Sequence, residues 1–250
     1  MNICAFIPAR KNSKSIPNKN LKELGGKPLI VLSIDSAQKC GLRTIVSTDS
    51  KEIAGLSYSQ GVEVMFRPDS LAKDTTSMFE VLKSEIPKIT PKPDLVLLLQ
   101  PTSPLRKTIH IKNCISYLSE NLDKFDSVVS CERVPELYNP YAMILENKRM
   151  VFRKLIGWKE KIHSWFTGKK YKMNLSGFPI SQRMTRRQDL PTAYIPDGAI
   201  YIFKPSNLKG GSIYGNETLL YENEGTQNLN TLEEWENCEK LLAEQQLKNK

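Results

Sequence analysis

The sequence predicts an α/β protein with three layers, in which helices cover both faces of an open, doubly wound, mostly parallel sheet. Short apolar strands alternate with amphipathic helices, and the run DLVLLLQ is apolar over almost its whole length. In addition, 250 residues with 40% apolar side chains are enough for one sizeable core. Because such sheets bind ligands beyond the carboxyl ends of their strands, the loops at that edge are the candidate site.

The predicted elements follow one another with short connections, and we expect a single domain over residues 1–250. The predicted segments are strand 2–8, a helix over 28–40 closed by Gly41, strand 43–47, a helix from a Ser50 cap to Gln60 before Gly61, strand VEVMF, helix 75–86, strand DLVLLLQ, helix 108–120, strand DSVVS, strand GAIYIF, and a C-terminal helix that begins at a Thr231–Glu234 capping box and carries Leu232, Trp235, Cys238, Leu241 and Leu242.

Composition excludes several classes of protein. No apolar run approaches the roughly 18 residues of a membrane span, and charged residues come too early for a secretory leader, so we expect a cytoplasmic protein without a membrane span. The five widely spaced cysteines are expected to be reduced core thiols. With two histidines in the chain and no paired-cysteine motif, any metal should be bound by oxygen.

The positive charge is concentrated in one segment. Residues 148–187 hold twelve Lys and Arg against one acidic residue, Glu160, and the rest of the chain is slightly acidic. The net charge of +9 and the pI of about 9.2 therefore do not indicate a surface that coats nucleic acid, and no nucleic-acid partner is expected.

The first strand runs into the loop IPARKNSKSIPNKN, which contains no acidic residue. It is neither a Walker loop nor a dinucleotide fingerprint, because it lacks GxxxxGK[ST] and GxGxxG. Arg10, Lys14 and Lys19 supply cations, and Asn12 and Ser13 supply neutral donors. This set suits a triphosphate, and the alternative is a solvated basic loop.

A second polar loop follows the buried strand, in LLLQPTSPLR, where two prolines stiffen the chain and hold Gln100, Thr102, Ser103 and Arg106 at the sheet edge. Taken alone, this could be a proline-stiffened turn. It occurs together with IPARKNSKSIPNKN, VSTDS, FRPDSLAKDTTS and IPDGAIYIF, in one order along the chain.

With these motifs the sequence resembles the N-acylneuraminate cytidylyltransferases, or CMP-sialic acid synthetases, and their relatives that activate legionaminic and pseudaminic acids. The resemblance covers residues 2–135 closely and 187–245 more loosely. It implies a Rossmann-like fold of the nucleotide-diphosphosugar transferase type with an extended dimerisation arm. It also implies a reaction with Mg²⁺ in which the anomeric hydroxyl of a nine-carbon 2-keto acid attacks the α-phosphate of CTP, giving the CMP-sugar and pyrophosphate.

The resemblance also implies roles for individual residues. The phosphate loop would comprise Arg10, Asn12, Ser13, Lys14 and Lys19, with Lys19 and Arg10 acting on the charge that develops in the reaction. Asn20 would contact the ribose or a phosphate, and Arg67, with the backbone around Thr76 and Ser77, would read the cytosine edge. Gln100, Thr102 and Ser103 would face the sugar acid, and Arg187 would bind its carboxylate. Asp49 has the alternative of capping the helix that begins near Ser50.

Two departures from the family concern its site. Asn228 and Asn230 stand where relatives carry an Asp-x-Asp pair for Mg²⁺, so they are expected to form a weak metal site. The alternative is that both are turn residues before the Thr231 cap. Ile195 and Asp197 in IPDGAIYI remove a sugar contact and place a negative charge there, so the substrate could differ from sialic acid.

The third departure is an enlarged segment over about 145–179, within an expected inserted basic arm at 139–188 that would join a homodimer. It contains Trp158, Trp165, Phe166 and Tyr171. The arm could supply cations to an acidic substrate, dock on an anionic membrane, or be a solvated helix pair. The other open alternatives are transfer of CMP to the eight-carbon acid Kdo, and a non-catalytic relative that binds a polyanion such as RNA.

Overall fold

The computed structural model of the protein describes residues 1–135, 138–139, 192–223 and 227–248. The chain divides into two compact units, one made of Met1–Glu132 with Pro196–Lys250 and the other of Arg133–Ile195. The arm expected at 139–188 lies outside the described residues apart from Asn139. The single domain and its inserted arm therefore stay predictions.

The described elements alternate as the sequence predicts. They are β1 (Ile3–Pro8), β2 (Glu23–Leu24), β3 (Lys27–Pro28), α1 (Leu29–Gln38), β4 (Arg43–Thr48), α2 (Lys51–Ser59), β5 (Glu63–Phe66), a 3-10 turn (Asp69–Leu71), α3 (Met78–Glu85), a second 3-10 turn (Ile86–Lys88), β6 (Leu95–Leu98), α4 (Thr108–Glu120), β7 (Ser127–Arg133), β8 (Tyr194–Phe203), a third 3-10 turn (Pro205–Gly210), β9 (Thr218–Glu222) and α5 (Leu232–Lys248). The short β2–β3 pair and β9 were not predicted from sequence.

Seven strands form one sheet in the order β5-β4-β1-β6-β8-β7-β9. The pairs β4–β5, β1–β4, β1–β6 and β7–β9 are parallel, whereas β8 runs antiparallel to β6. The predicted fold class, a mostly parallel α/β sheet, is confirmed. The carboxyl ends of β5, β4, β1 and β6 lie side by side at one edge.

Strand periodicity divides the core between the two faces of the sheet. On β1, Ala5 and Ile7 pack in one apolar cluster with Ile30 of α1, and the alternate residue Phe6 packs in a second cluster with Leu82 of α3. All four residues of β6 are buried because helices cover both faces. This is the predicted three-layer arrangement.

Local capping sets the helix boundaries. The Ser50 hydroxyl accepts the N–H of Ile53 at 3.3 Å, so α2 begins where predicted. Ser77 forms a capping box with Glu80, so α3 begins at Met78 and not at Thr75 as expected. The predicted Thr231 box is confirmed, since Glu234 donates its N–H to the Thr231 hydroxyl at 3.2 Å and accepts the Thr231 N–H at 2.8 Å.

A third apolar cluster lies where the C-terminal helix meets the opening loop. Trp235 and Cys238 of α5 are buried there with Leu229, and with Ile16 of the opening loop and Leu105 of the second loop. Leu232 and Leu241, which the apolar pattern also included, are exposed. The cluster brings three segments together that are distant in sequence.

All five cysteines are free thiols, as predicted, and four of them are buried. Within the described residues, none of the helices has both the length and the apolar character that crossing a membrane requires.

Candidate active site at the carboxyl ends of the central strands

The predicted site residues follow four adjacent strands. The opening loop follows β1, Asp49 follows β4, Arg67 follows β5 and Gln100 follows β6. Because the carboxyl ends of these parallel strands meet at one edge, residues from distant parts of the sequence face the same space.

The opening loop is held by hydrogen bonds that leave its cations at the edge. The Asn20 amide donates to the Arg10 carbonyl oxygen at 2.9 Å, and the Lys11 backbone N–H donates to Asp49 Oδ1 at 2.8 Å. Asp49 therefore anchors this loop, and the cap of α2 is Ser50. Asn20 is buried, so it stabilises the loop conformation from inside.

Arg10 and Lys14 share one carboxylate. The Arg10 guanidinium bonds to Asp74, and Lys14 Nζ lies 3.7 Å from the other oxygen of the same side chain. The hydrogen bond from Arg10 and the charges of Arg10 and Lys14 hold the pKa of Asp74 below its usual range. Asn12 is exposed and Ser13 is partly exposed beside them. An arriving anion would therefore meet two cations that already share a counter-ion.

Lys19 has a different environment, because its side chain is buried. Its Nζ donates to the Leu229 carbonyl oxygen at 2.8 Å. Burial lowers the pKa of Lys19 from its ordinary 10.5, the charge of Arg10 lowers it further, and Glu234 acts in the opposite direction. The ammonium is poorly solvated, and this raises the electrostatic benefit of contact with an anion.

Arg67 is also buried, and its Nε finds no hydrogen-bond partner within the described part of the chain. Burial lowers the pKa of Arg67, while the charges of Asp49 and Glu85 oppose that shift. A buried donor without a partner costs free energy, and an acceptor atom of a bound ligand would remove this cost. Around it, Thr76 donates its hydroxyl to the Ser70 carbonyl at 3.1 Å and Ser77 caps α3, so both side chains fix the neighbouring backbone.

In the second loop, Gln100 and Thr102 are partly exposed, whereas Ser103 is fully buried. The Ser103 hydroxyl lies 2.7 Å from Asn228 Oδ1 and 3.0 Å from the Gly198 carbonyl oxygen. Its single hydrogen is therefore engaged inside the protein. Among the described members of the predicted sugar set, Gln100 and Thr102 are therefore the ones that a ligand can reach.

Arg106 stabilises the conformation of this loop from inside the protein. It is buried, and it donates to the Ala199 carbonyl at 2.5 Å and to the Gln100 carbonyl at 2.8 Å. Burial lowers the pKa of Arg106 to about 10, partly offset by the charge of Asp197. These two acceptors are backbone oxygens, and a weaker bond runs to the Ser33 hydroxyl at 3.4 Å, so Arg106 fixes the loop.

Asp197 does not place a negative charge at the sugar site, and that expectation was wrong. Its carboxylate is buried and accepts hydrogen bonds from the Ser130 hydroxyl at 2.5 Å, the Ala199 N–H at 2.8 Å and the Asn223 amide at 2.8 Å. The sequence could not distinguish an exposed from a buried carboxylate, because the partner Asn223 is 26 residues away.

The Asn228 side chain does not fit a Mg²⁺ ligand in this arrangement, because both ends of its amide are bonded within the protein. The Asn228 amide bonds to Ser103 and, through Nδ2, to the Asp197 carbonyl at 2.8 Å. Asn230 is exposed, and its backbone N–H donates to Glu234 at 2.5 Å. Among the residues that the structure describes, there is no group of three His, Cys, Asp or Glu placed to hold a metal. Arg187 lies outside the described residues.

Sequence reasoning missed two contributors to the site. Asp74 lies in the FRPDSLAKDTTS stretch, where a single acid next to a lysine carried no signal of its pairing with Arg10. Leu229 contributes through its backbone carbonyl, which no sequence pattern could have revealed.

Solved structures of two other proteins share the fold of this chain. A CMP:2-keto-3-deoxy-manno-octonic acid synthetase complexed with CTP matches with a TM-score of 0.67 over 98% of this chain and 100% of that chain, at 15% identity. A 4-diphosphocytidyl-2C-methyl-D-erythritol synthase from Anaerococcus prevotii matches with a TM-score of 0.58 over 97% and 98% of the two chains, at 13% identity. At such identities the likeness establishes the fold.

The sequence comparisons establish the family. Residues 4–150 match the family model described as cytidylyltransferase, so the chain belongs to the cytidylyltransferase family. It is 33% identical over 226 residues to an N-acylneuraminate cytidylyltransferase of Streptococcus agalactiae, covering 88% of this chain and 48% of that protein. It is 41% identical over 121 residues to a CMP-N,N'-diacetyllegionaminic acid synthase of Legionella pneumophila, covering 46% and 52%. The chain thus spans about half the length of these curated relatives, and the resemblance drawn from the loop motifs is confirmed.

We predict that Asp74→Asn strengthens anion binding. Without the carboxylate, Arg10 and Lys14 lose a competing partner, so the affinity for inorganic tripolyphosphate should rise by about two- to fivefold, the scale of one exposed ion pair. Isothermal titration calorimetry at low ionic strength would measure this, and the gain should shrink with added salt.

The matched control is Asp69→Asn, an exposed acid in the same connection, which should leave the affinity unchanged. Weaker binding by the Asp74→Asn protein would mean that Asp74 holds Arg10 in place for the ligand and does not compete with it.

Proposed function

We propose that this protein transfers CMP from CTP to a sialic-acid-like nine-carbon 2-keto sugar acid, giving the CMP-sugar and pyrophosphate. The observation that carries the proposal is the buried Lys19 ammonium, which the Leu229 carbonyl holds in the loop that follows β1, within electrostatic reach of Arg10. The named relatives from Streptococcus agalactiae and Legionella pneumophila support the choice of nucleotide and of sugar acid.

In this reaction the anomeric hydroxyl oxygen of the sugar acid forms a bond to the α-phosphorus of CTP, and the bond from that phosphorus to the β-phosphate oxygen breaks. The hydroxyl proton leaves to solvent, and pyrophosphate departs with the bonding electrons. Negative charge grows on the α-phosphate and on pyrophosphate, which is where Lys19 and Arg10 would stabilise it. A buried cation is effective here because little water screens it.

The remaining predicted residues take binding roles. Lys14, with Asn12 and Ser13, would contact the β- and γ-phosphates, and Asn20 would support the loop near the ribose. Arg67, whose Nε has no partner among the described residues, would donate to the cytosine edge beside the backbone at Thr76 and Ser77. Gln100 and Thr102 would contact the sugar acid, with Ser103 holding their loop, and Arg187 would bind the carboxylate.

Mg²⁺ belongs to the proposal as a companion of CTP. It is a hard cation that prefers anionic oxygen, and the phosphates offer such oxygens whereas the amides of Asn228 and Asn230 do not. When bound to the nucleotide it would neutralise part of the triphosphate charge. The proposal keeps a cytoplasmic location, which suits a reaction that consumes CTP.

The test of this function is pyrophosphate release from each of the four nucleoside triphosphates with a panel of sugar acids. The panel contains sialic, legionaminic and pseudaminic acids and Kdo. We expect turnover with CTP and a nine-carbon acid. Turnover with Kdo alone would reassign the acceptor, and no turnover with any pair would leave a non-catalytic relative that binds a polyanion.

We predict that Lys19→Met lowers kcat by on the order of 10²–10³, the usual effect of removing one group that stabilises charge in the transition state. CTP binding should weaken less, because Arg10 and Lys14 remain. Steady-state kinetics with CTP and the best acceptor would measure both, and a kcat within about threefold of wild type, or ~0.65 kcal/mol, would contradict the role of Lys19.

Lys11→Met is the matched control, since Lys11 is exposed in the same loop and its bond to Asp49 runs through the backbone. A second readout is pH. Burial lowers the pKa of Lys19 below 10.5, so the cation and kcat/KM should be lost as pH rises toward that lowered pKa. Lys19→Arg keeps its charge at this pH, and the alkaline decline should move upward or disappear.

We also propose that the protein is a homodimer joined by the basic segment, which would bring cations to the acidic sugar. Deletion of residues 148–177 should then give monomers with a raised KM for the sugar acid. Sedimentation velocity would measure the oligomeric state. A variant with Gln in place of every Lys and Arg of that segment would separate the effect of the segment's charge from the effect of its length. An unchanged oligomer after the deletion would count against the arm.

A further inference from the structure

The Asn228 side chain uses both ends of its amide inside the protein. Oδ1 accepts the Ser103 hydroxyl at 2.7 Å, and Nδ2 donates to the Asp197 carbonyl oxygen at 2.8 Å. Gly198 packs against the same amide, since a Cβ at this residue would lie 2.7 Å from Asn228 Oδ1. The backbone φ of Gly198 is +78°, which also favours glycine. The amide therefore packs against the second loop and the start of the buried part of β8.

The next residue, Leu229, connects this amide to Lys19. The Leu229 side chain is fully buried, and its N–H donates to the Thr102 carbonyl at 2.7 Å. Its own carbonyl oxygen accepts the Lys19 ammonium at 2.8 Å. Two bonds from the Asn228 side chain and one from the Leu229 N–H thus fix the backbone immediately before the carbonyl that holds Lys19.

We propose that Asn228 is a positioning residue for the Lys19 ammonium and not a metal ligand, an inference that rests on the proposed function. The amide fixes the Leu229 carbonyl, and the carbonyl directs one ammonium hydrogen inward. Within the described residues this leaves the other two hydrogens for the phosphates. Preorganised donors of this kind stabilise a transition state because they need no rearrangement during the reaction.

The side-chain chemistry explains why an amide suits this position. An aspartate at 228 has no N–H to give to the Asp197 carbonyl, and it would set a carboxylate oxygen against a carbonyl oxygen in a partly buried space. A metal ligand would behave in the opposite way, because a carboxylate binds Mg²⁺ better than an amide. The two assignments therefore predict opposite effects of the same substitution.

The experiment measures kcat, KM for CTP and the Mg²⁺ concentration for half-maximal rate in Asn228→Ala and Asn228→Asp, each in the wild-type and Lys19→Met backgrounds. In the wild-type background both should lower kcat about 10- to 100-fold, the cost of a small misplacement of a reacting group. KM for CTP and the Mg²⁺ dependence should change by less than about threefold on the same reasoning, since binding contacts remain. In the Lys19→Met background neither should lower kcat further.

Two outcomes would overturn the proposal. A lower Mg²⁺ requirement or a higher kcat in Asn228→Asp would assign the position to the metal. Losses that multiply between Asn228→Ala and Lys19→Met would show a general structural effect that does not act through Lys19. Asn216→Ala, an exposed asparagine before β9, is the control and should match wild type.

A second measurement does not depend on turnover. The urea unfolding midpoints of Ser103→Ala, Asn228→Ala and the double variant should be non-additive, because both singles break the same bond. Additive midpoints would also overturn the proposal. If the wild type released no pyrophosphate in any assay, the proposed function would fail. The double-mutant cycle measured by urea unfolding would still decide whether the Ser103–Asn228 contact couples the second loop to the segment that precedes α5.

Discussion

The other features of the candidate site depend on two hydrogen bonds made by the backbone of Leu229. Its N–H and C=O connect the second loop at Thr102 with the opening loop at Lys19, and its side chain is buried under α5 in the third apolar cluster. Apolar burial and two hydrogen bonds thus act on one residue. The C-terminal helix, which carries no predicted site residue, therefore determines where the principal cation lies.

Three buried cations at this edge differ in how many of their donors have hydrogen-bond partners. This difference distinguishes the cation that stabilises a loop from the cations that a ligand would contact. Arg106 bonds to two backbone carbonyls and fixes the second loop. Arg67 keeps a buried Nε without a partner among the described residues, and Lys19 has one backbone acceptor. Because buried donors that lack partners are costly, Arg67 and Lys19 are the cations that a ligand would complete.

The exposed cations of the candidate site pair with a carboxylate and not with backbone oxygens. Arg10 and Lys14 pair with Asp74 across the mouth of the site, where solvent screens the charges and each pair is weak. Such a counter-ion can be exchanged for a phosphate at small cost. The site thus combines a buried ammonium that is fixed in place with an outer pair that responds to an anion.

The fold class could be predicted from the residues alone, because continuous apolar strands and alternating helices allow few arrangements other than a parallel sheet covered on both faces. The sequence also indicated the candidate site, because IPARKNSKSIPNKN and QPTSPLR lie at the ends of strands β1 and β6 and place their polar residues at the carboxyl edge. Helix caps such as Ser50 and Thr231 could also be predicted, because a cap and its partner lie only three or four residues apart. Only the tertiary structure decided the roles of Asp74, Asp197, Asn228 and Leu229. Apart from the Ala199 N–H that bonds to Asp197, their partners lie 26 to 210 residues away, and whether a polar group is exposed or buried depends mainly on those distant partners.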